Sequence, residues 1–455
     1  MGRLFGTDGV RGVANQELTP EMAYRVARVG TSILLKERLA AVAGENATPK
    51  PKIAVGMDTR LSGPMLEAAV VAGITSVGAD VIRLGIIPTP GVAYLVRELG
   101  ADAGVMISAS HNPVPDNGIK FFDCGGFKLP DELEDQIEEL YYAEGDQLPR
   151  PIGELLGTVI SYGDATEEYA QYLVHTTDQY LTGQKIILDC CFGAAYKVAP
   201  RVFRALGAEV IEFNSTADGQ RINVDCGSTN PSLLQELVAK NGAHLGFAFD
   251  GDADRVIAVD EKGQIVDGDH IMAILALDLL ERDALPEKAI VATVYSNLGL
   301  TEVVRSAGGD VVTTNAGDRY VLAAMLERGL VLGGEQSGHI ILLEHNTTGD
   351  GILTAVQLAA TLKRRGQTLG QAAKVMRTFP QILDAVPVED KKKVAEDPSL
   401  EALIAQAEDI VGPYGRIYVR PSGTEPLIRV MGEGPDPAKV QAAVETVVNG
   451  IESLK

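Results

Sequence analysis

The chain has 455 residues, more than one ordinary domain needs, and its 45% apolar content describes a folded protein with ample core. A formal charge of −22 argues against nucleic acid or an anionic membrane as a partner, but not against a small anion held in a local pocket. Aromatic residues are scarce and Trp is absent, so few surfaces exist on which a nucleobase could stack.

The first residues lack the apolar core of a secretion signal, and Gly2 is not followed by the Ser or Thr that myristoylation needs. The strongest apolar stretch, 271–280, is short and holds Asp278, so no membrane span is expected. Cys124, Cys190, Cys191 and Cys226 form no CxxC pair, which fits reduced thiols in the cytoplasm.

The N-terminal run RLFGTDGVRG (3–12) is glycine-dense around Asp8 and Arg11. Such a loop brings backbone N–H groups close to an anion, with Arg11 as added charge, or else is simply a tight entry turn. Thr19-Pro20-Glu21 opens a helix, with Thr as the cap and apolar positions at 22, 26, 29 and 33.

From there the chain repeats one pattern three times: strand, helix, a strand beginning G-[AG]-acid-V-[IV], helix, strand, polar motif. The first pass runs from 52–55 through 78–82 to Ser108-Ala-Ser110-His111-Asn-Pro. The second runs from 185–189 through 207–211 to Asp250-Gly-Asp252-Ala-Asp254-Arg255. The third runs from 289–293 through 308–312 to Glu335-Gln-Ser337-Gly-His339.

Alternating strands and helices predict an α/β protein of three similar mixed, mainly parallel domains, with a smaller C-terminal α+β domain, around one central cleft. The expected division is 1–156, 157–258, 259–370 and 371–455, with linkers at 145–157, 260–268 and 365–378. The last piece carries a strand at 415–419, the loop Arg420-Pro-Ser422-Gly423-Thr424-Glu-Pro, a strand at 427–431 and a final helix.

Each motif has a chemical and a plain reading. Ser110 sits at a turn beside His111, where open α/β sheets place their chemistry, and is favoured over Ser108 as a nucleophile. A Ser that caps its own turn is the alternative. Asp250, Asp252 and Asp254 repel one another unless a cation lies among them, and an all-oxygen set suits Mg²⁺ or Ca²⁺. An EF-hand is excluded because Arg255 stands where that loop needs Gly, so Mg²⁺ with few carboxylates fits better than Ca²⁺, against a solvated acidic turn.

Arg420, Ser422, Gly423 and Thr424 read as a phosphate cradle with Arg429 on the next strand, or as an ordinary β-turn. On alternating geometry Glu335, Ser337 and His339 share a face suited to several hydroxyls, although the glycines also allow a turn. Lys120, Arg11 and Gly317-Asp318-Arg319 are further candidates for charge near a phosphate.

In order, SASHNP, DGDADR, GEQSGH and RPSGTEP resemble the four signatures of the α-D-phosphohexomutase family over nearly the whole chain. The resemblance implies phosphoserine at Ser110 and Mg²⁺ held by Asp250, Asp252, Asp254 and a phosphate oxygen on Ser110. It also implies sugar hydroxyls on Glu335, Ser337 and His339, and the non-reacting phosphate on Arg420, Ser422, Gly423, Thr424 and Arg429. The partner would be a small-molecule sugar phosphate, with hexose 1,6-bisphosphate as intermediate or activator, and the chain would work alone or as a homodimer.

FGTDGVRG, SASHNP and GEQSGH are most similar to the amino-sugar branch. That implies isomerisation between glucosamine 6-phosphate and glucosamine 1-phosphate, with mannose or glucose phosphates, a Mg²⁺-dependent phosphatase, or a non-catalytic binder as rivals. His111, Lys120 and Arg11 all stand as candidates for the general base.

Overall fold

The computed structural model describes residues 4–6, 8–42, 49–146, 148–422 and 426–454, and every count or absence below refers to those residues. The helix predicted from Thr19 runs Pro20–Leu34, and the Thr19 side chain accepts the Met22 N–H as its cap.

The first sheet contains β1 (Val10–Val13), β2 (Lys52–Met57), β3 (Asp80–Ile86), β4 (Ala103–Ile107), β5 (Asp116–Asp123) and β6 (Val159–Ser161), in spatial order β1-β5-β4-β2-β3-β6. The second contains β7 (Lys185–Asp189), β8 (Glu209–Phe213), β9 (Leu245–Phe249), β10 (Val256–Asp260) and β11 (Ile265–Val266), in order β11-β10-β9-β7-β8. The third contains β12 (Ala289–Thr293), β13 (Asp310–Thr314), β14 (Leu332–Gly334) and β15 (Ile340–Leu342), in order β13-β12-β14-β15. A separate antiparallel sheet joins β16 (Gln381–Pro387), β17 (Arg416–Pro421) and β18 (Leu427–Glu433), in order β16-β18-β17.

The threefold repeat is therefore real in topology, and more specific than strand ends alone imply. In each of the first three sheets a central parallel strand (β2, β7, β12) pairs with a second parallel strand on either side. The last of these then turns back into an antiparallel partner: β4 into β5, β9 into β10, β14 into β15. The serine, aspartate and Glu335 motifs occupy those three connections. Strands β4, β9 and β14 are buried throughout, so only the connections offer polar side chains.

One continuous apolar core runs from Ala54 in the first sheet to Met376, and a second, self-contained core from Val386 to Ile451 serves the last sheet. The first three units are thus packed as one body, while the fourth keeps its own core.

Several expected divisions fall elsewhere. β6 pairs with β3 in the first sheet, so a break after residue 156 detaches an edge strand. The 260–268 segment is the β10–β11 hairpin followed by the Asp267 cap of the helix Gly268–Glu281, and a break after 258 cuts β10. The break after 370 cuts the short helix Leu369–Ala372. The sequence pattern also missed β16, whose burial barely alternates because it lies at a sheet edge.

Candidate active site

Ser110 lies in the first of these connections with φ of +51°, a left-handed conformation that a serine adopts only when its surroundings enforce it. The enforcing group is Arg60. Its side chain is fully buried, pairs with Asp58 at 3.1 Å, and donates to the carbonyls of Ser110 (2.9 Å), Asn112 (2.7 Å), Pro113 (2.6 Å) and Asp116 (2.8 Å). Ser108 is used structurally: its Oγ donates to Asp58 Oδ2 at 2.6 Å and accepts the Ser110 N–H at 2.9 Å. This separates two serines that alternation alone leaves equivalent.

The second domain meets the loop directly. Asn223 Nδ2 donates to the Ser110 carbonyl at 2.8 Å, and a Cβ placed on Gly251 would lie 2.6 Å from that oxygen, so only glycine permits the approach. The result is that Ser110 Oγ donates to Asp250 Oδ2 at 2.5 Å while His111 Nδ1 stands 3.3 Å from the same Oγ.

Asp250, Asp252 and Asp254 are all buried, and each presents a carboxylate oxygen within 4.8 Å of the others. Burial, with Asp254 and Asp252 adding, pushes the Asp250 carboxyl well above the usual range. Burial also opposes charge on Asp254, but His339, Lys120 and Arg255 outweigh it and hold that carboxyl well below its usual value. Asp252 Oδ1 and Asp254 Oδ1 are buried with no hydrogen-bond partner. Unsatisfied buried carboxylate oxygens are costly, and a hard cation among them supplies what the protein does not. The donor set therefore fits a metal ion.

Lys120 is buried among these acids, 2.9 Å from Asp252 Oδ2 and 2.8 Å from Asp8 Oδ2. Burial opposes its charge, yet Asp252 and Asp8 raise its pKa, which makes it a fixed cation. Arg11 donates to Asn112 Oδ1 at 3.0 Å and pairs with Asp8, bracing the serine loop. Lys128 bridges Asp8 at 2.6 Å and Asp318, tying the first domain to the third. His111 is the opposite case: burial and then Arg255 and Arg11 lower its pKa to about 4, leaving a neutral imidazole.

In the third domain 335–339 is a hairpin turn, with the Glu335 N–H donating to His339 O and the Gly338 N–H to Glu335 O. The expected alternating face is therefore corrected, since two-residue periodicity holds only in extended chain. Glu335 Oε1 accepts the Gly317 N–H at 3.0 Å, Ser337 is exposed, and buried His339 places Nδ1 3.5 Å from Asp254 Oδ2 while Nε2 accepts the Gly349 N–H. A cavity of about 460 Å³ lies over these groups, lined by Asp8, Arg11, His111, Arg255, Glu335 and His339 among others.

The fourth domain is represented differently. Arg420 and Arg429 face each other directly across β17 and β18, which gathers two guanidinium groups on one face of the sheet. Arg420 Nε also donates to Tyr295 OH of the third domain at 2.8 Å. Ser422 is buried, its N–H donating to Leu427 O. None of these three lines the cavity, and Gly423 and Thr424 lie outside the described residues.

Arg60, Asp58, Asn223 and Lys128 were not singled out from the sequence. An acid and an arginine two apart at the end of β2 were the available signal for the first pair; Asn223 and Lys128 carried none.

The chain matches the family models for phosphoglucomutase/phosphomannomutase alpha/beta/alpha domain I at residues 2–147, domain II at 166–263, domain III at 267–379 and the C-terminal domain at 383–450. It is 54% identical over 454 residues to a phosphoglucosamine mutase of Moorella thermoacetica, covering 99% of this chain and all of that one. It is equally 54% identical to a phosphoglucosamine mutase of Desulforamulus reducens, with both chains covered in full. A crystal structure of a phosphoglucomutase/phosphomannomutase family protein from Burkholderia thailandensis superposes with a TM-score of 0.81 at 25% identity, over 99% of this chain and 97% of that one.

Proposed function

We propose that this chain, which belongs to the phosphoglucomutase/phosphomannomutase family, is an isomerase that interconverts glucosamine 6-phosphate and glucosamine 1-phosphate. The sugar rests on relatives named phosphoglucosamine mutase that match over the whole chain. The chemistry rests on one observation, the Ser110 hydroxyl held 2.5 Å from Asp250 within a buried acid triad.

Phosphoserine at 110 gives its phosphoryl group to the free oxygen of the bound sugar phosphate. The P–Oγ bond breaks as the P–O bond to the sugar forms, producing a 1,6-bisphosphate. That intermediate turns end for end, and Ser110 takes back the other phosphoryl group. Asp250, Asp252 and Asp254, with a phosphate oxygen on Ser110, would hold Mg²⁺, which when bound would neutralise charge on the transferring oxygens.

Arg11 holds the serine loop, and Lys120, clamped by Asp252 and Asp8, contributes positive charge. His111, on the cavity wall beside Ser110, is the group placed to accept the sugar hydroxyl proton. Glu335, Ser337 and His339 face the sugar hydroxyls, with His339 also holding Asp254. Arg420, Ser422, Gly423, Thr424 and Arg429 grip the non-reacting phosphate, and a cradle on a separately cored domain is suited to closing over either end of the sugar.

Glucosamine 1-phosphate made here would supply UDP-N-acetylglucosamine for the cell wall, and a cytoplasmic location would suit that supply. No helix is long and apolar enough to cross a membrane. A homodimer contact would suit the edge strand β6 and the segment before it, where Val159 and Ile160 on the strand and Ile152 and Leu156 ahead of it leave apolar surface exposed.

Rates with glucosamine, mannose and glucose phosphates, together with phosphosite mapping before and after substrate, test the proposal. A phosphate on Ser110 that moves to glucosamine phosphate with the highest catalytic efficiency is expected. A clear preference for an unaminated sugar overturns the substrate, and net release of phosphate without isomer overturns the reaction.

A further inference from the structure

Cys191 and Cys226 lie immediately behind the serine loop, and the phosphoryl-transfer chemistry uses neither. Their sulfurs are 3.7 Å apart, both side chains are buried, and they form a small cluster with Phe192. The Cys191 thiol is 3.1 Å from Asn223 Oδ1, and the Nδ2 of that same amide donates to the carbonyls of Ser110 at 2.8 Å and Asn112 at 3.3 Å. The Asn223 N–H donates to Cys191 O as well. A continuous path of contacts therefore runs Cys226–Cys191–Asn223–Ser110.

The segments that carry these groups are held under backbone strain. Cys191, Phe192, Asn223 and Asp225 have φ of +56°, +53°, +61° and +50°, left-handed values that non-glycine residues keep only when surrounding contacts enforce them.

We propose that Cys191 and Cys226 are a dithiol that a hydroperoxide converts to a disulfide, and that the disulfide form loosens the Ser110 loop through Asn223. In the first step one thiol, deprotonated during a local opening, attacks the peroxide. Its S–O bond forms as O–O breaks, leaving a sulfenic acid and water or an alcohol. The second sulfur then attacks the first, the S–S bond forms and water leaves, so two thiols and one hydroperoxide balance.

A disulfide sets the sulfurs about 2.05 Å apart, so they must close by roughly 1.6 Å from 3.7 Å. That closure shifts Cys191, and the S–H proton that it donates to Asn223 Oδ1 is lost. The Cys226 contact and burial push the Cys191 thiol up, so the reaction waits on opening of the segment and is slow at rest.

The test uses full-length protein in a Cys124→Ser background, because Cys124 is exposed and reacts independently. Protein is treated with hydrogen peroxide, remaining thiols are alkylated under denaturing conditions, and the digest is read by mass spectrometry alongside mutase rate. A linked Cys191–Cys226 peptide is expected, with a ten- to hundredfold fall in kcat of the size that small misplacements at an active site produce. Dithiothreitol should restore the rate.

Cys226→Ala is expected to keep the untreated rate and to resist peroxide; Cys226→Val serves if the alanine variant folds poorly. Absence of the linked peptide overturns the site. A linked peptide with unchanged rate, or equal peroxide loss in the Cys226 variants, overturns the coupling to Ser110. The mass readout does not depend on which sugar is turned over, so it stands or falls separately from the substrate assignment.

Discussion

Arg60 Nη2 donates to the carbonyl of Ser110 at 2.9 Å, and through this contact a buried cation on one loop sets the backbone of a serine on another. Three further carbonyls of the same loop bond to Arg60, and its charge is met only by Asp58. Arg60→Ala is therefore expected to leave Asp58 buried and unpaired, at a cost of about 3–5 kcal/mol in thermal or denaturant unfolding. Arg60→Lys keeps the charge but lacks the fork that spans four acceptors. It should fold, with kcat reduced and KM nearly unchanged; an unaltered kcat would show that the loop holds its shape without the guanidinium.

The two serines should separate cleanly by intact mass. Ser110→Ala is expected to abolish the covalent phosphate and the mutase rate. Ser108→Ala should keep the phosphate and lose about 1–3 kcal/mol of stability, because the Asp58 carboxylate and the Ser110 N–H both lose a buried partner. Phosphate that survives Ser110→Ala would transfer the carrier role to Ser108.

Removal of divalent metal by a chelator should stop turnover, with Mg²⁺ restoring it. Asp252→Asn takes one charge from a triad whose buried oxygens are already unsatisfied. Titration calorimetry is expected to show Mg²⁺ affinity lowered by about tenfold or more, in line with the sensitivity of metal sites to their surroundings. Equal affinity in parent and variant would remove the triad from metal binding.

The cross-strand pair Arg420 and Arg429 should make the fourth domain responsive to anions. Inorganic phosphate is expected to raise the melting temperature of the parent protein, since a ligand that binds only the folded state stabilises it in proportion to ln(1 + [L]/Kd). Arg420→Ala should blunt that rise and increase KM for the sugar phosphate. A phosphate response that is identical in the variant would place the anion elsewhere.

Asp269 supplies a pH dependence away from the reactive centre. Burial, reinforced by Asp267, pushes its carboxyl up to about 7, and the Asn297 N–H at 2.7 Å offsets this only in part. The folded state thus holds the proton more tightly than the unfolded chain, whose Asp titrates near about 3.9. The resulting stabilisation is complete below about pH 4, is lost as pH rises toward 7, and is gone above it. Asp269→Asn keeps the acceptor for Asn297 without the charge. It should match the parent at pH 4 and exceed it at pH 8, on the order of 1–3 kcal/mol; parallel stability curves for the two proteins would contradict the burial argument.

Local pattern was enough for the repeat. Apolar runs such as 245–249 and 103–107 each close on a polar cluster, which made both the strands and their chemically active ends visible. The acid triad was legible because three carboxylates in five residues have few stable arrangements without a cation. Pattern failed where geometry is set by distant partners. The Glu335–His339 segment contains an alternation of polar residues, but its backbone closes into a turn through its own hydrogen bonds. β6, just past the expected 145–157 linker, was not read as a strand, and it becomes one because β3 offers it an edge. The β10–β11 hairpin also reads as a linker, because its turn residues are those of any loop.

Taken alone, the amino-acid order determined the α/β class, the three passes, the four signature loops and the identity of the chemical groups in them, because these depend on residue type and short spacing. The tertiary structure decided which serine hydroxyl meets the acid triad and which is tied to Asp58, which cation holds the serine loop, and which of His111, Lys120 and Arg11 is neutral. Those properties arise between residues about fifty to two hundred positions apart, such as Arg60 with Ser110, Ser110 with Asp250, and Lys128 with Asp318. Burial and charge are collective properties of a packed site, and no local stretch of sequence contains them.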